Sequence, residues 1–108
     1  MTARRSALAL SLAFLAAATK PLLRTGTLVL HNSTWDRVQV EVRVGPSQTC
    51  SENDEAGTHT LRRDENWAVV SDQMICWRRE QTPGDAAGGW TAWQSTRLGI
   101  TQVRDVTL

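Results

Sequence analysis

The sequence predicts an all-β domain: a small antiparallel β-sandwich, or a partly closed barrel, of six to seven short strands behind an N-terminal signal peptide. Three observations carry this. From Gly26 to Leu108 apolar residues recur with period two, the spacing of a strand with one face inward. Turn-forming clusters (NSTWD, GPSQ, RDEN, TPGDAAGG) break the chain at intervals of roughly a dozen residues. No window after the leader carries an apolar stripe at helical spacing.

The leader comes first. Arg4 and Arg5 form a short basic region, followed by an unbroken apolar run from Ala7 to Ala18. Ala16 and Ala18 supply the small residues of an A-x-A cleavage site, which predicts removal of residues 1–18 and a mature start at Thr19. The run falls short of the roughly 20 residues that span a bilayer, so no stable transmembrane segment is expected after cleavage. A secreted or periplasmic location follows, with the Arg4-Arg5 pair leaving Sec and twin-arginine export both open. Residues 19–25 read as a linker and 26–108 as one domain. The 90 residues after the leader hold ten basic and eleven acidic side chains. That balance lacks the electrostatic surplus needed to hold nucleic acid or anionic lipid. Lys20 is the only lysine, a bias that fits arginine-rich bacterial coding.

Within the domain, TLVLHN is a β-rich run ending in the turn-forming NSTWD. Next, RVQVEVRV places Val38, Val40, Val42 and Val44 on one face and Arg37, Gln39, Glu41 and Arg43 on the other. Together these predict a hairpin over residues 27–44. SENDEAGTH reads as a polar acidic loop, followed by strands at TLRR, WAVVS and MICWRRE. TPGDAAGG reads as an exposed loop, and WTAWQSTRL and ITQVRDVTL supply the last strand or two.

Cys50 and Cys76 are the two cysteines, and an even count in an exported chain predicts a disulfide between them. Closing that loop contributes about 3–4 kcal/mol in the chain-entropy account. A reactive Cys76 beside Arg78 or Arg79 is the competing reading. Against it, a strand sets Cys76 and Arg78 on one face and Trp77 and Arg79 on the other, and neither histidine is placed to act as a base.

Five tryptophans are too many for a small core, because each indole brings about 200 Å² and an N–H needing an acceptor. Trp67 and Trp77 are expected in the core. Trp35, Trp90 and Trp93, in turns and beside the Gly-rich loop, are the candidate ligand-binding residues. Arg78 and Arg79 are candidate polar anchors for a carboxylate or phosphate. The plainer role for this arginine pair is cross-strand pairing with Glu41 or Arg43. Glu52, Asn53, Asp54 and Glu55 crowd oxygen atoms but match no calcium-loop spacing, and the cysteines and histidines match no zinc spacing, so no metal or other cofactor is expected. Asn32 opens an N-x-S/T sequon, which matters only in a eukaryotic host.

No G-x-S-x-G, H-E-x-x-H or phosphate-binding glycine loop is present, so catalysis is not expected. The expected role is an exported binding module whose tryptophan-bearing loops meet a protein or a carbohydrate. The alternatives are an accessory subunit of an envelope assembly and a small periplasmic inhibitor presenting TPGDAAGG to an enzyme.

Overall fold

A computed structural model describes residues 24–108, so the expected leader and most of the linker lie outside the described residues. Seven strands follow: β1 (Gly26–Asn32), β2 (Arg37–Gly45), β3 (Asp54–Arg62), β4 (Glu65–Ser71), β5 (Met74–Arg79), β6 (Gln94–Thr96) and β7 (Val103–Thr107). They form a three-stranded sheet, β4-β1-β7, and a four-stranded sheet, β3-β2-β5-β6. Every pairing is antiparallel except that of β7, which runs parallel to β1. The expected β-sandwich architecture is therefore present, with one parallel edge.

Period two decides which side chains meet between the sheets. Leu28 and Leu30 of β1 and Val69 of β4 face Val38, Val40, Val42, Leu61, Ile75 and Trp77 of the other sheet, and Leu98 closes one end. Each such aliphatic, once buried, stabilises the fold by about 1.5–3 kcal/mol. Trp77 points inward, as expected, and is buried.

Three local expectations are corrected. No hairpin forms over residues 27–44, because β1 and β2 pair in different sheets. The cause is Asn32. Its side-chain oxygen accepts from the Trp35 N–H at 2.9 Å, and its amide donates to the carbonyls of Trp35 (2.9 Å) and Leu61 (3.0 Å). This side-chain-built turn steers the chain across to the opposite sheet instead of folding it back. The Asn32 amide is thus fully buried and bonded, not presented for glycosylation.

The second correction concerns SENDEAGTH, most of which is strand β3 and not loop. As a sheet edge it is largely solvated on both faces, so its sequence lacks alternation. A register shift opposite Val42 and Arg43 also bends it. His59 stacks on Trp67 with ring centroids 3.8 Å apart, joining the β3 and β4 edges of the two sheets. Finally, only Gln94–Thr96 of WTAWQSTRL is strand, with Trp90 making a single bridge to Glu80.

Candidate Trp–Arg recognition face

The expected disulfide is present, joining Cys50 and Cys76 with their Cα atoms 5.7 Å apart. Cys76 lies on the outer face of the four-stranded sheet, so the bond ties the 46–53 loop down over that face. Asn53 locks the loop from beneath. Its side chain accepts from the Ser47 N–H (3.0 Å) and donates to the Ser47 carbonyl (2.8 Å). It sits so tightly against Gly45 that a Cβ there would overlap the Asn53 side chain. Asn53 is turned inward and Asp54 and Glu55 are drawn into a strand, and no cluster of three acids or other metal-ligating side chains forms among the described residues.

Next to the staple, the same outer face carries Glu41 and Arg43 on β2 and Arg78 on β5. Arg78 donates to one Glu41 oxygen from Nε at 2.7 Å, and its Nη2 lies 2.7 Å from the same oxygen in an ion pair. Arg43 lies 3.6 Å from the other Glu41 oxygen and donates to the Asn53 carbonyl at 3.1 Å. Glu41 is buried beneath the two arginines. The segment after β5 returns over this cluster and lays two indoles on it. The Arg78 guanidinium carbon is 4.3 Å from the Trp93 ring centre and 5.1 Å from that of Trp90, while that of Arg43 is 5.9 Å from Trp93. The result is a ladder: Trp90, Arg78, Trp93, Arg43. Cation–π attraction and the Glu41 carboxylate hold it together.

The five candidate ligand-binding residues therefore fall into two groups. Arg78, Trp90 and Trp93 share the ladder. Trp35 and Arg79 meet elsewhere, at the end of the sandwich, with the guanidinium carbon 5.4 Å from the indole centre. Arg79 also donates to the Glu80 carbonyl at 2.6 Å. Trp35 packs against the core and its ring N–H is buried with no acceptor among the described residues. Trp35, Trp90 and Trp93, the candidate ligand-binding tryptophans, are all half-buried. Arg78 takes the cross-strand role with Glu41 and lies against both ladder indoles.

Two small clefts flank these groups. One of about 200 Å³ lies at the β6–β7 side, lined by Trp77, Arg79, Thr91, Gln94, Val106 and Leu108. The other, of about 180 Å³, lies beneath Gly84 and Ala86, lined by Arg37, Gln39, Thr60 and Glu80. The Glu80 carboxylate accepts the Gln39 N–H at 2.6 Å.

The outer face of the three-stranded sheet holds a network that sequence reading missed. His31 on central β1 meets Asp105 of β7 through Nε2 (2.7 Å) and Asn66 of β4 through Nδ1 (2.8 Å). The hydrogen bond to Asp105 is the main cause that raises the His31 pKa above its ordinary value; the bond to Asn66 and the Asp105 charge add to it, and desolvation opposes it. Both ring nitrogens are occupied, so His31 has no free nitrogen with which to activate a nucleophile. Only the strand register brings these three residues together, which no local motif announces. Comparison of the chain with protein-family models, curated proteins and solved structures finds no match.

Proposed function

We propose that this chain is an exported, non-catalytic binding module that contacts a protein partner through the Trp90–Arg78–Trp93–Arg43 face. The observation that carries the reading is the interleaving of Arg78 between two indoles above a buried carboxylate. Tryptophan and arginine are the side chains most enriched where protein interfaces concentrate their binding energy. Here they are pre-ordered by the Glu41 pair and the disulfide-tied loop, so little side-chain entropy is lost on contact. A protein partner is favoured over a carbohydrate by the use of the indole faces. Sugar rings stack on open aromatic faces, whereas at Trp93 the Arg78 and Arg43 guanidiniums already pack against the ring and border it with N–H donors, a mix suited to a protein surface.

The test uses the exported protein as bait in the native envelope, with a photo-crosslinking residue at Ser95, which pairs beside Cys76 on this face. A single crosslinked partner in near-stoichiometric amount is expected, lost in Trp90→Ala while the melting temperature stays within a few degrees. A Trp90→Ala protein that unfolds makes Trp90 structural, and one that keeps its partner removes the ladder from the interface; either outcome sinks the reading. The accessory-subunit alternative uses the same face and differs in one respect: the partner then remains bound through purification instead of exchanging.

A further inference from the structure

The turn before β7 holds a residue that does not suit it. In residues 99–102 the Gln102 N–H donates to the Gly99 carbonyl at 3.1 Å, closing the turn. Thr101 sits there at φ 59°, in the left-handed region. A β-branched side chain is out of place in that region, where its Cβ crowds the backbone. Asp64, also at positive φ, is of a type that visits the region readily. The turn is held shut by two further bonds. The Thr101 N–H donates to the Thr25 carbonyl at 2.9 Å, and the Gln102 side-chain oxygen accepts the Gly99 N–H at 2.9 Å. Closure shelters little, since Ile100 stays 63% exposed.

On the two sides of this turn the chain is anchored very differently. Leu98 belongs to the core and lies so close over Gly26 that a Cβ there would overlap it. β7, by contrast, is an edge strand paired in parallel with five residues of β1. Of its own side chains Val106 is half-buried and the other four are exposed. No other described strand need move with it. Fully extended, residues 99–102 reach about 14 Å, roughly three times the ~4.8 Å between neighbouring strands.

We propose that β7 exchanges between two copies of this chain, each copy laying its β7 along the β1 of the other. The groove itself fixes its occupant, because the same residues fill it in the closed chain. The pairing of Leu30 with Val106, the His31–Asp105 bond and the Arg104–Thr96 bond at 3.0 Å are all remade between copies. What changes is the hinge. Once extended, Thr101 leaves the left-handed region for the backbone that β-branched residues favour. A short hinge under strain promotes exchange of this kind. The Trp–Arg ladder is untouched, since none of its residues lies on β7 or in the hinge, so exchange stands apart from the proposed function. The dimer carries two ladders.

The experiment is gel filtration with light scattering on the full chain, its disulfide intact, from micromolar to millimolar concentration. A dimer is expected to grow with concentration and, once isolated, to return to monomer only over minutes or longer, because β7 must first leave its groove. Thr101→Gly relieves the closed turn and is expected to lower the association constant roughly tenfold or more. Thr101→Pro cannot adopt that turn, since proline holds φ at about −65°, and is expected to raise the constant by at least as much. In a dimer mixed from differently isotope-labelled copies, filtered NMR spectra are expected to show Leu30 of one copy touching Val106 of the other. Trp90→Ala is expected to dimerise like the parent protein, which separates failure of this proposal from failure of the partner-binding one. A parent protein that stays monomeric throughout overturns the proposal, as does Thr101→Gly dimerising unchanged or a folded Thr101→Pro that remains a monomer. A dimer in which Leu30 touches only the Val106 of its own chain is a surface contact and overturns it equally.

Discussion

The two sheets turn very different outer faces to their surroundings. On the four-stranded sheet, residues 46–53 and 80–93 fold back over the strands, one fastened by Cys50–Cys76 and the other laying Trp90 and Trp93 over Arg78. On the three-stranded sheet the connections stay at the ends of the strands, and His31, Val70 and Val103 stand at the surface. Both faces place a carboxylate opposite a basic side chain. On the covered face Glu41 is buried and both hydrogen-bonded and ion-paired to Arg78; on the bare face Asp105, 69% exposed, holds His31 in contact with water. Equivalent chemistry therefore gives a rigid recognition surface in one place and a solvent-sensitive clip in the other. What differs is the length of chain returning over the strands, and with it the water near the charges.

Removing the cover is the most severe way to break this contrast. Cys50→Ala with Cys76→Ala frees a loop spanning a sequence separation of 26 residues. The expected loss is about 3–4 kcal/mol, or a melting temperature lower by roughly 20 °C in a domain of this size. Scanning calorimetry measures it. Because the 46–53 loop supplies the Asn53 carbonyl to Arg43, the ladder is expected to loosen as well, seen as a red shift of tryptophan emission. An unchanged melting temperature would mean that Asn53 and its hydrogen bonds hold the loop without the bond.

A smaller effect is expected from charges beneath the ladder. Arg78→Leu leaves Glu41 buried with only Arg43 nearby at 3.6 Å, at a cost of about 2 kcal/mol. Replacing both, Glu41→Leu with Arg78→Leu, is expected to cost less than Arg78→Leu alone, since no buried carboxylate is then stranded and Arg43 keeps the Asn53 carbonyl. A urea double-mutant cycle decides. Strictly additive losses would make this an ordinary surface pair and erase the distinction between the faces.

Which of these features the sequence discloses follows from how local their causes are. The alternation in β2 needs only its own residues, and it separates Val38, Val40 and Val42 from Glu41 and Arg43 correctly. The staple follows from cysteine count and export chemistry, and the opposite facing of Cys76 and Trp77 from period two. The hairpin expectation failed because Asn32 bonds to Leu61, 29 residues away, and so redirects the turn through a partner that no window contains. β3 escaped because an edge strand has no inner face long enough to write alternation into its sequence; only Leu61 is buried there. The ladder was half legible: Trp90, Trp93 and Arg78 were singled out, but their separation from Trp35 and Arg79 depends on which way the 80–93 segment returns.

The least costly perturbation tests the bare face by pH. His31 gains a carboxylate partner on folding, which raises its folded pKa above the ordinary histidine value. Its contribution to stability is then complete below that ordinary value and is lost as pH rises through the raised one. The clip ties β7 to β1 beside a pairing of only five residues, so this edge is expected to open first as the proton leaves. Amide exchange along β7 is therefore expected to quicken, beyond its intrinsic pH dependence, from near neutral pH upward. The β2–β5 pairing under the ladder is expected to show no such excess. Asp105→Asn keeps a side chain of the same shape, lowers the His31 titration point measured by NMR, and shifts the onset of β7 opening to lower pH. His31→Gln removes the excess pH dependence altogether. If β7 exchange in His31→Gln still accelerates over that range as in the parent protein, the imidazole is not the clip, and the two sheet faces differ in cover but not in their response to protons.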